Sequence, residues 1–275
     1  MCQLLGMSCN VPTDICFSFT GFQARGGITD THTDGWGISF FEDHGVRMFL
    51  DHQASARSPI AELVRQYPIK SKTVISHIRK ATQGKVSLEN THPFQRELWG
   101  EYWVFAHNGH LSGPLPELSG SFQPVGTTDS ERAFCVILQA LSDRFGRNRP
   151  SLEELTTEIE ALSKKLGAMG EFNFLLSNGK ALFAHCSTRL AYIVRQAPFT
   201  MAALKDQNLK VNFKDVTTHH DIVAVIATQP ITTNEDWTTL EPGTLCVFSE
   251  GKILSSLKTV AGEPYRPECK AVSSQ

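Results

Sequence analysis

Four short stretches of the 275-residue chain carry residue types that could do chemistry together: Met1-Cys2, SHIRKAT (76–82), AHNG (106–109) and GTTDSE (126–131). A cysteine attacks as its thiolate, so it needs a base to take the proton. At Cys2 that base could be the chain's own α-amine, once Met1 is removed. An α-amine titrates near about 7.7–8.0, so roughly a tenth is neutral at pH 7; a lysine near about 10.4 is neutral far below one per cent. Acyl transfer also needs donors aimed at the developing oxyanion. The Asn108 side-chain amide and the Gly109 N–H would supply two from adjacent residues. Arg79 suits a carboxylate, because a guanidinium binds it bidentately, and Asp129 suits an ammonium. One cation and one anion in separate loops match an amino-acid zwitterion.

Each stretch also has a plainer reading. Free cysteine is among the most buried residue types, and MCQLLG is an apolar run. Arg79 could form a surface ion pair. Asn-Gly is the strongest short hairpin signal, and spacing alone favours a turn at Asn108-Gly109. Asp129 could cap a helix that begins at Ser130.

Other chemistries leave no such trace. His107 with His110, and His219 with His220, lack the second ligand pair of a zinc site; no Cys-x-x-Cys occurs, and Pro12 interrupts the seven-residue spacing of Cys2, Cys9 and Cys16. No metal and no cofactor is predicted. The phosphate-binding, dinucleotide and Gly-x-Ser-x-Gly signatures are absent.

Composition bounds the setting. Apolar residues make up 41% and charged residues 20%, with net charge −2, which is ordinary globular usage without a field for nucleic acid or an anionic membrane. The longest apolar runs are strand-length, too short to span a bilayer. The first basic residue is Arg25, and Asn10, Pro12 and Asp14 break any apolar leader, so the expected compartment is the cytoplasm. Seven scattered cysteines fit reduced thiols rather than a disulfide framework.

The elements that must position these residues are read from hydrophobic period and caps. CQLLGMSC, TVISHIR, EYWVFAHNG, FNFLLSN, ALFAHCS, AYIVR, DIVAVIATQ and TLCVFS read as strands, and GWGISFFED with VRMFLD as a hairpin. Asp14 is placed as the cap of one helix. Ser58-Pro59 starts another, with Ile60, Leu63, Val64 and Tyr67 as its apolar face. Two more helices cover about 130–145 and 151–166. SNGK is a hairpin turn, and 110–126 is loop. Strands, a helical pair, then strands predict an α+β fold of about ten strands, sheet packed on sheet with helices outside. One domain over 1–262 is expected, followed by a polar tail, 263–275.

With the residues in view, the chain resembles the class II glutamine amidotransferase domain, an N-terminal-nucleophile hydrolase, as a small stand-alone member. Cys2, DGWG (34–37), HIRKAT (77–82), NTHPF (90–94), AHNG (106–109) and TTDSE (127–131) stand in the family's order and spacing. The resemblance implies a four-layer αββα sandwich of two antiparallel sheets. It implies that Cys2 attacks the γ-amide of glutamine, that ammonia leaves, and that water releases glutamate from the thioester. Arg79 and Asp129 would grip the substrate's α-groups, with Thr82 near its carboxylate, and Asn108 and Gly109 would form the oxyanion hole. Trp36 and Gly37 would support the catalytic strand, and His92 would shape a loop. Synthase-linked members commonly read Arg-Trp-Ala-Thr-His where this chain has Arg79-Lys80-Ala81-Thr82-Gln83. With no synthase domain in view, a separate ammonia-accepting enzyme is one expected partner. Hydrolysis of another γ-glutamyl amide is a second reading, and a non-catalytic module binding glutamine or glutamate is a third.

Overall fold

The computed structural model describes residues 2–81 and 84–263. The expectations placed on Met1, Thr82 and the tail beyond Glu263 lie outside the described residues.

Two antiparallel sheets face each other. The first holds β1 (Gln3–Thr13), β2 (Trp36–Glu42), β3 (Gly45–Asp51), β4 (Ser71–Ile78), β9 (Ala191–Arg195), β12 (Val223–Ala227) and β13 (Thr238–Thr239), in the order β13-β9-β12-β1-β4-β2-β3. The second holds β5 (Phe94–Leu98), β6 (Glu101–Leu111), β7 (Gly170–Ser177), β8 (Leu182–Cys186), β14 (Thr244–Ser249) and β15 (Lys252–Lys258), in the order β15-β14-β8-β7-β6-β5. A small ribbon, β10 (Met201–Ala203) and β11 (Lys210–Asn212), stands apart. Helices α1 (Cys16–Ala24) and α2 (Pro59–Gln66) cover the first sheet; α3 (Asp129–Phe145) and α4 (Leu152–Gly167) cover the second.

Three cores match the three interfaces between these four layers. Leu4, Ile75, Val104, Leu175 and Phe248 fill the space between the sheets. Phe19, Phe22, Trp36 and Val64 pack α1 and α2 on the first sheet. Phe105, Phe134, Leu138 and Phe172 pack the second sheet on its helices. Successive strand residues point to opposite faces, so Leu4 and Leu5 enter different cores. That two-sided burial is why β1 reads as an apolar run rather than an alternation. The architecture is the predicted αββα sandwich.

Several details differ from the sequence reading. Fifteen strands stand among the described residues, where about ten are predicted. Asn108-Gly109 is no hairpin turn: both lie inside β6, paired with Asn173 and Phe172 of β7. Asp14 sits one residue before the α1 cap, Ile15, although its Oδ1 still accepts the Cys16 N–H at 3.2 Å. On α2 the buried face is Ala61 and Val64, and Ile60, Leu63 and Tyr67 are exposed. The N-cap of α3 is Thr128, whose Oγ1 accepts the Glu131 N–H at 3.2 Å, so Asp129 is the first helical residue. Among the described residues, no helix is long and apolar enough to cross a membrane.

Candidate active site

The site is built where the ends of several strands meet. In the first sheet Gln3 pairs with Ile78, and Ile78 with Trp36. The start of β1, the end of β4 and the start of β2 therefore share one edge, bringing Cys2, Arg79 and the Asp34-Gly35 turn together. The Lys80 N–H donates to the Cys2 sulfur at 3.3 Å, and the thiol lies 3.5 Å from the Lys80 carbonyl oxygen. Asp34 braces this corner. Its N–H donates to the Arg79 carbonyl at 3.2 Å, and its Oδ2 accepts the Ala81 N–H at 2.8 Å.

Arg79 is 3% exposed, and its guanidinium donates to the Lys85 carbonyl at 2.9 Å. The segment it rests on is tied down by Asn90. The Asn90 amide donates to the Lys85 carbonyl at 3.2 Å and accepts the Thr127 N–H at 2.8 Å. Arg79 is thus held by the 84–90 loop, which Asn90 ties to the loop that leads into α3. Burial pushes the Arg79 pKa down from its ordinary value.

In the second sheet the end of β6 carries Asn108 and Gly109. A Cβ on Gly109 would lie 1.8 Å from the Glu171 carbonyl oxygen, so only glycine lets β7 pack this closely. Asn108 is buried, its Nδ2 reaches Thr228 Oγ1 at 3.5 Å, and its Oδ1 has no hydrogen-bond partner among the described residues. Asp129, at the start of α3, accepts the Leu111 N–H at 2.8 Å and the Ser130 N–H at 2.9 Å. It lies 3.7 Å from His110 Nδ1. The helix start thereby clamps the end of β6.

The electrostatics join the two sheets into one site. Burial is the largest influence on the Cys2 thiol and raises its pKa; the Lys80 N–H and the Arg79 charge pull it down, and Asp129 pushes it up. Both charges are therefore in electrostatic reach of the sulfur. Beneath it lies a layer of buried histidines. His77 Nε2 is 3.1 Å from the His107 carbonyl oxygen, and the His77 and His92 rings lie 4.2 Å apart, tilted by 32°. Desolvation holds His77, His92 and His107 below the ordinary imidazole pKa, so they are neutral near pH 7.

Trp36 is fully buried against Phe19, with ring centroids 5.6 Å apart. A Cβ on Gly37 would lie 2.4 Å from the His92 carbonyl oxygen, so Gly37 lets the 90–94 segment cross β2. The fold thus brings together Cys2, Arg79, Asn108, Gly109 and Asp129; Trp36, Gly37 and His92 sit around them. Beside Asp129 a cleft of about 670 Å³ is lined by His110, Pro114, Thr127, Thr128 and Arg132. A second, of about 980 Å³, runs from His110 past Glu171 to Gly262 and Glu263.

Sequence reading missed the polar residues that brace this site. Asn173 stands between Phe172 and Phe174 in an otherwise apolar strand, and a buried polar residue in that setting is itself a signal. Its Oδ1 accepts the Ser187 and Thr188 N–H groups, each at 2.9 Å, and its Nδ2 donates to the Asn108 carbonyl at 3.0 Å. Thr228 comes directly after the buried run VAVIA and carries no motif of its own. Glu131, 2% exposed, accepts from Arg96 at 2.5 Å and from the Gly126 N–H at 2.7 Å.

Comparison with known proteins identifies the family and the fold. The profile of the glutamine amidotransferases class II matches residues 1–271. YafJ of Escherichia coli (strain K12), named as a candidate glutamine amidotransferase, is 53% identical over 252 residues, 92% of this chain and 99% of YafJ. A similarly named protein of Haemophilus influenzae is 52% identical over 258 residues, 94% of this chain and 87% of its own length. A crystal structure of a candidate glutamine amidotransferase from Pseudomonas aeruginosa PA01 superposes with a TM-score of 0.74 at 45% identity, covering 92% of this chain and 99% of that one. The glutamine phosphoribosylpyrophosphate amidotransferase of B. subtilis shares the fold, with a TM-score of 0.56 at 16% identity, covering 93% of this chain and 49% of that one. With a sandwich of this kind and the family's profile matched over nearly its whole length, the chain belongs to the class II glutamine amidotransferases.

Proposed function

We propose that the protein hydrolyses the γ-amide of glutamine through a thioester on Cys2, releasing ammonia and glutamate. The observation that supports this reading is that the Arg79 and Asp129 charges act on Cys2 while Thr228, bonded to the strand that follows Cys2, also meets Asn108. The Cys2 thiol stands raised by burial, so it needs a base at neutral pH. The α-amine of Cys2, freed by removal of Met1, is the proposed base. The sulfur attacks the γ-carbon, and the oxyanion is met by the Asn108 amide and the Gly109 N–H. The protonated amine returns its proton to the leaving nitrogen, and ammonia departs. Water then attacks the thioester carbonyl, its proton passes to the amine and on to the sulfur, and glutamate is released. Arg79 and Asp129 hold the α-carboxylate and α-ammonium, with Thr82 assisting at the carboxylate. A separate enzyme that consumes ammonia is the proposed partner.

A second reading keeps these steps and changes the leaving group to a larger amine. Lys80 and Gln83, where synthase-linked members commonly carry Trp and His, favour it.

The test is a turnover screen of tag-free protein, its N-terminus verified by intact mass, on glutamine and a panel of γ-glutamyl amides. Ammonia or amine release is expected from wild type, with a loss of at least about 10⁴-fold in Cys2→Ala. Turnover unchanged in Cys2→Ala removes the thioester from the mechanism. Ligand binding without any turnover leaves a binding module instead.

A further inference from the structure

We infer that Thr228 is a positioning residue that sets the Asn108 amide and the nucleophile strand against each other through one hydroxyl; this rests on the oxyanion role proposed for Asn108. Thr228 stands one residue past the end of β12, where the β1–β12 ladder would pair it with Leu4 after Leu5↔Ala227. Its N–H does donate to the Leu4 carbonyl, at 3.1 Å. The return bond is different. The Leu4 N–H donates at 2.9 Å to the Thr228 hydroxyl, not to its carbonyl.

The chain turns away at this point because Arg25 holds the next two residues. The buried guanidinium of Arg25 donates to the Gln229 carbonyl at 3.1 Å and to the Pro230 carbonyl at 2.7 Å, and pairs with Asp206 at 2.8 Å. The hydroxyl completes a ladder that the backbone has left. The same oxygen faces the second sheet and meets Asn108 Nδ2 at 3.5 Å. Leu4 is two residues from Cys2, so the hydroxyl of one residue, itself only 3% exposed, contacts both the nucleophile's strand and the proposed oxyanion donor.

The geometry explains a hydroxyl here better than packing does. Valine has nearly the same shape, yet it would leave the buried Leu4 N–H without an acceptor and the Asn108 amide free to turn. The long contact to Asn108 aims the amide without saturating it, leaving hydrogen-bonding capacity for a developing oxyanion.

The test compares Thr228→Val with Thr228→Ser, alone and in an Asn108→Ala background, on whichever γ-glutamyl substrate wild type turns over. Thr228→Val is expected to lower kcat by about 10- to 100-fold with KM within about twofold, and Thr228→Ser to retain most of the activity. In the Asn108→Ala background Thr228→Val should cost at least about threefold less than in wild type, because the part of its effect that runs through Asn108 is already lost and only the Leu4 part remains. An equal loss in both backgrounds, or kcat unchanged in Thr228→Val, overturns the inference. A readout independent of turnover separates it from the proposed reaction. In ¹⁵N-labelled protein the Asn108 side-chain NH₂ signal, identified by its absence in Asn108→Ala, should shift in Thr228→Val and stay in place in Thr228→Ser. Exchange of the Leu4 amide should quicken at least about tenfold only in the valine variant. If wild type turns over no γ-glutamyl substrate, the glutaminase reading falls while these two signals still decide the positioning. An unmoved Asn108 signal with unchanged Leu4 exchange refutes it.

Discussion

At the scale of single residues, the site depends on side chains with two duties. Arg79 carries a charge that stabilises the Cys2 thiolate, and it also donates to the Lys85 carbonyl of the loop above it. A planar guanidinium can do this and still present a fork to a carboxylate; an ammonium cannot. Arg79→Lys is therefore expected to raise KM for glutamine by about tenfold or more, as loss of one charge-assisted hydrogen bond implies. Steady-state kinetics check this, and an unaltered KM removes Arg79 from the substrate site. Asp129 shows why spacing alone left its role open. Thr128, not Asp129, is the N-cap, yet both Asp129 oxygens take backbone N–H groups at the meeting of β6 and α3.

At the scale of elements, α3 and its preceding loop hold one wall of the site, and Glu131 is the pin. Its buried carboxylate gathers Arg96 and the Val125 and Gly126 N–H groups. Glu131→Ala would strand these donors and is expected to destabilise the fold by about 3 kcal/mol, checked by urea unfolding. A change below about 0.5 kcal/mol would mean that the loop finds other partners. The same scale decides how much of the molecule is legible from sequence. Strands buried on both faces, such as VAVIA and WVFAH, announce themselves by apolar content. FQREL and KILSSLK do not: they are edge strands, with polar residues facing solvent. Asn-Gly misleads because the local turn preference is overridden by the long ladder with β7 and by the close approach of Glu171. The site's motif residues are legible as a set, since their types carry charge or nucleophilicity. Thr228 and Asn173 are not, since a threonine or asparagine in a strand matters only through what folding places opposite it.

At the scale of the whole molecule, neutral histidines are built into the interior. His77, His92, His107 and His185 are buried, and burial depresses the pKa of each, that of His185 to about 4. A histidine in the unfolded chain titrates near about 6.5. Above that pH both states are neutral and nothing is lost. As pH falls below it the unfolded chain takes up protons that the folded chain refuses, so stability declines until the folded pKa is reached. Between about pH 6.5 and 5, His185 alone should cost about 1–2 kcal/mol. Urea midpoints are expected to drop steadily across that window, and a flat profile would show that these rings reach solvent protons without unfolding. The position of β1 has a consequence of another kind, in time rather than energy. It is a central strand whose partner on one side ends at Ile78 and on the other at Ala227. During synthesis at about 5–20 residues per second, the ribosome needs roughly 10–45 s after making β1 before β12 exists to close over it. For that interval β1 lacks its β12 neighbour, and afterwards it is paired on both sides. The strand that carries the proposed nucleophile thus waits for a neighbour made about two hundred residues later.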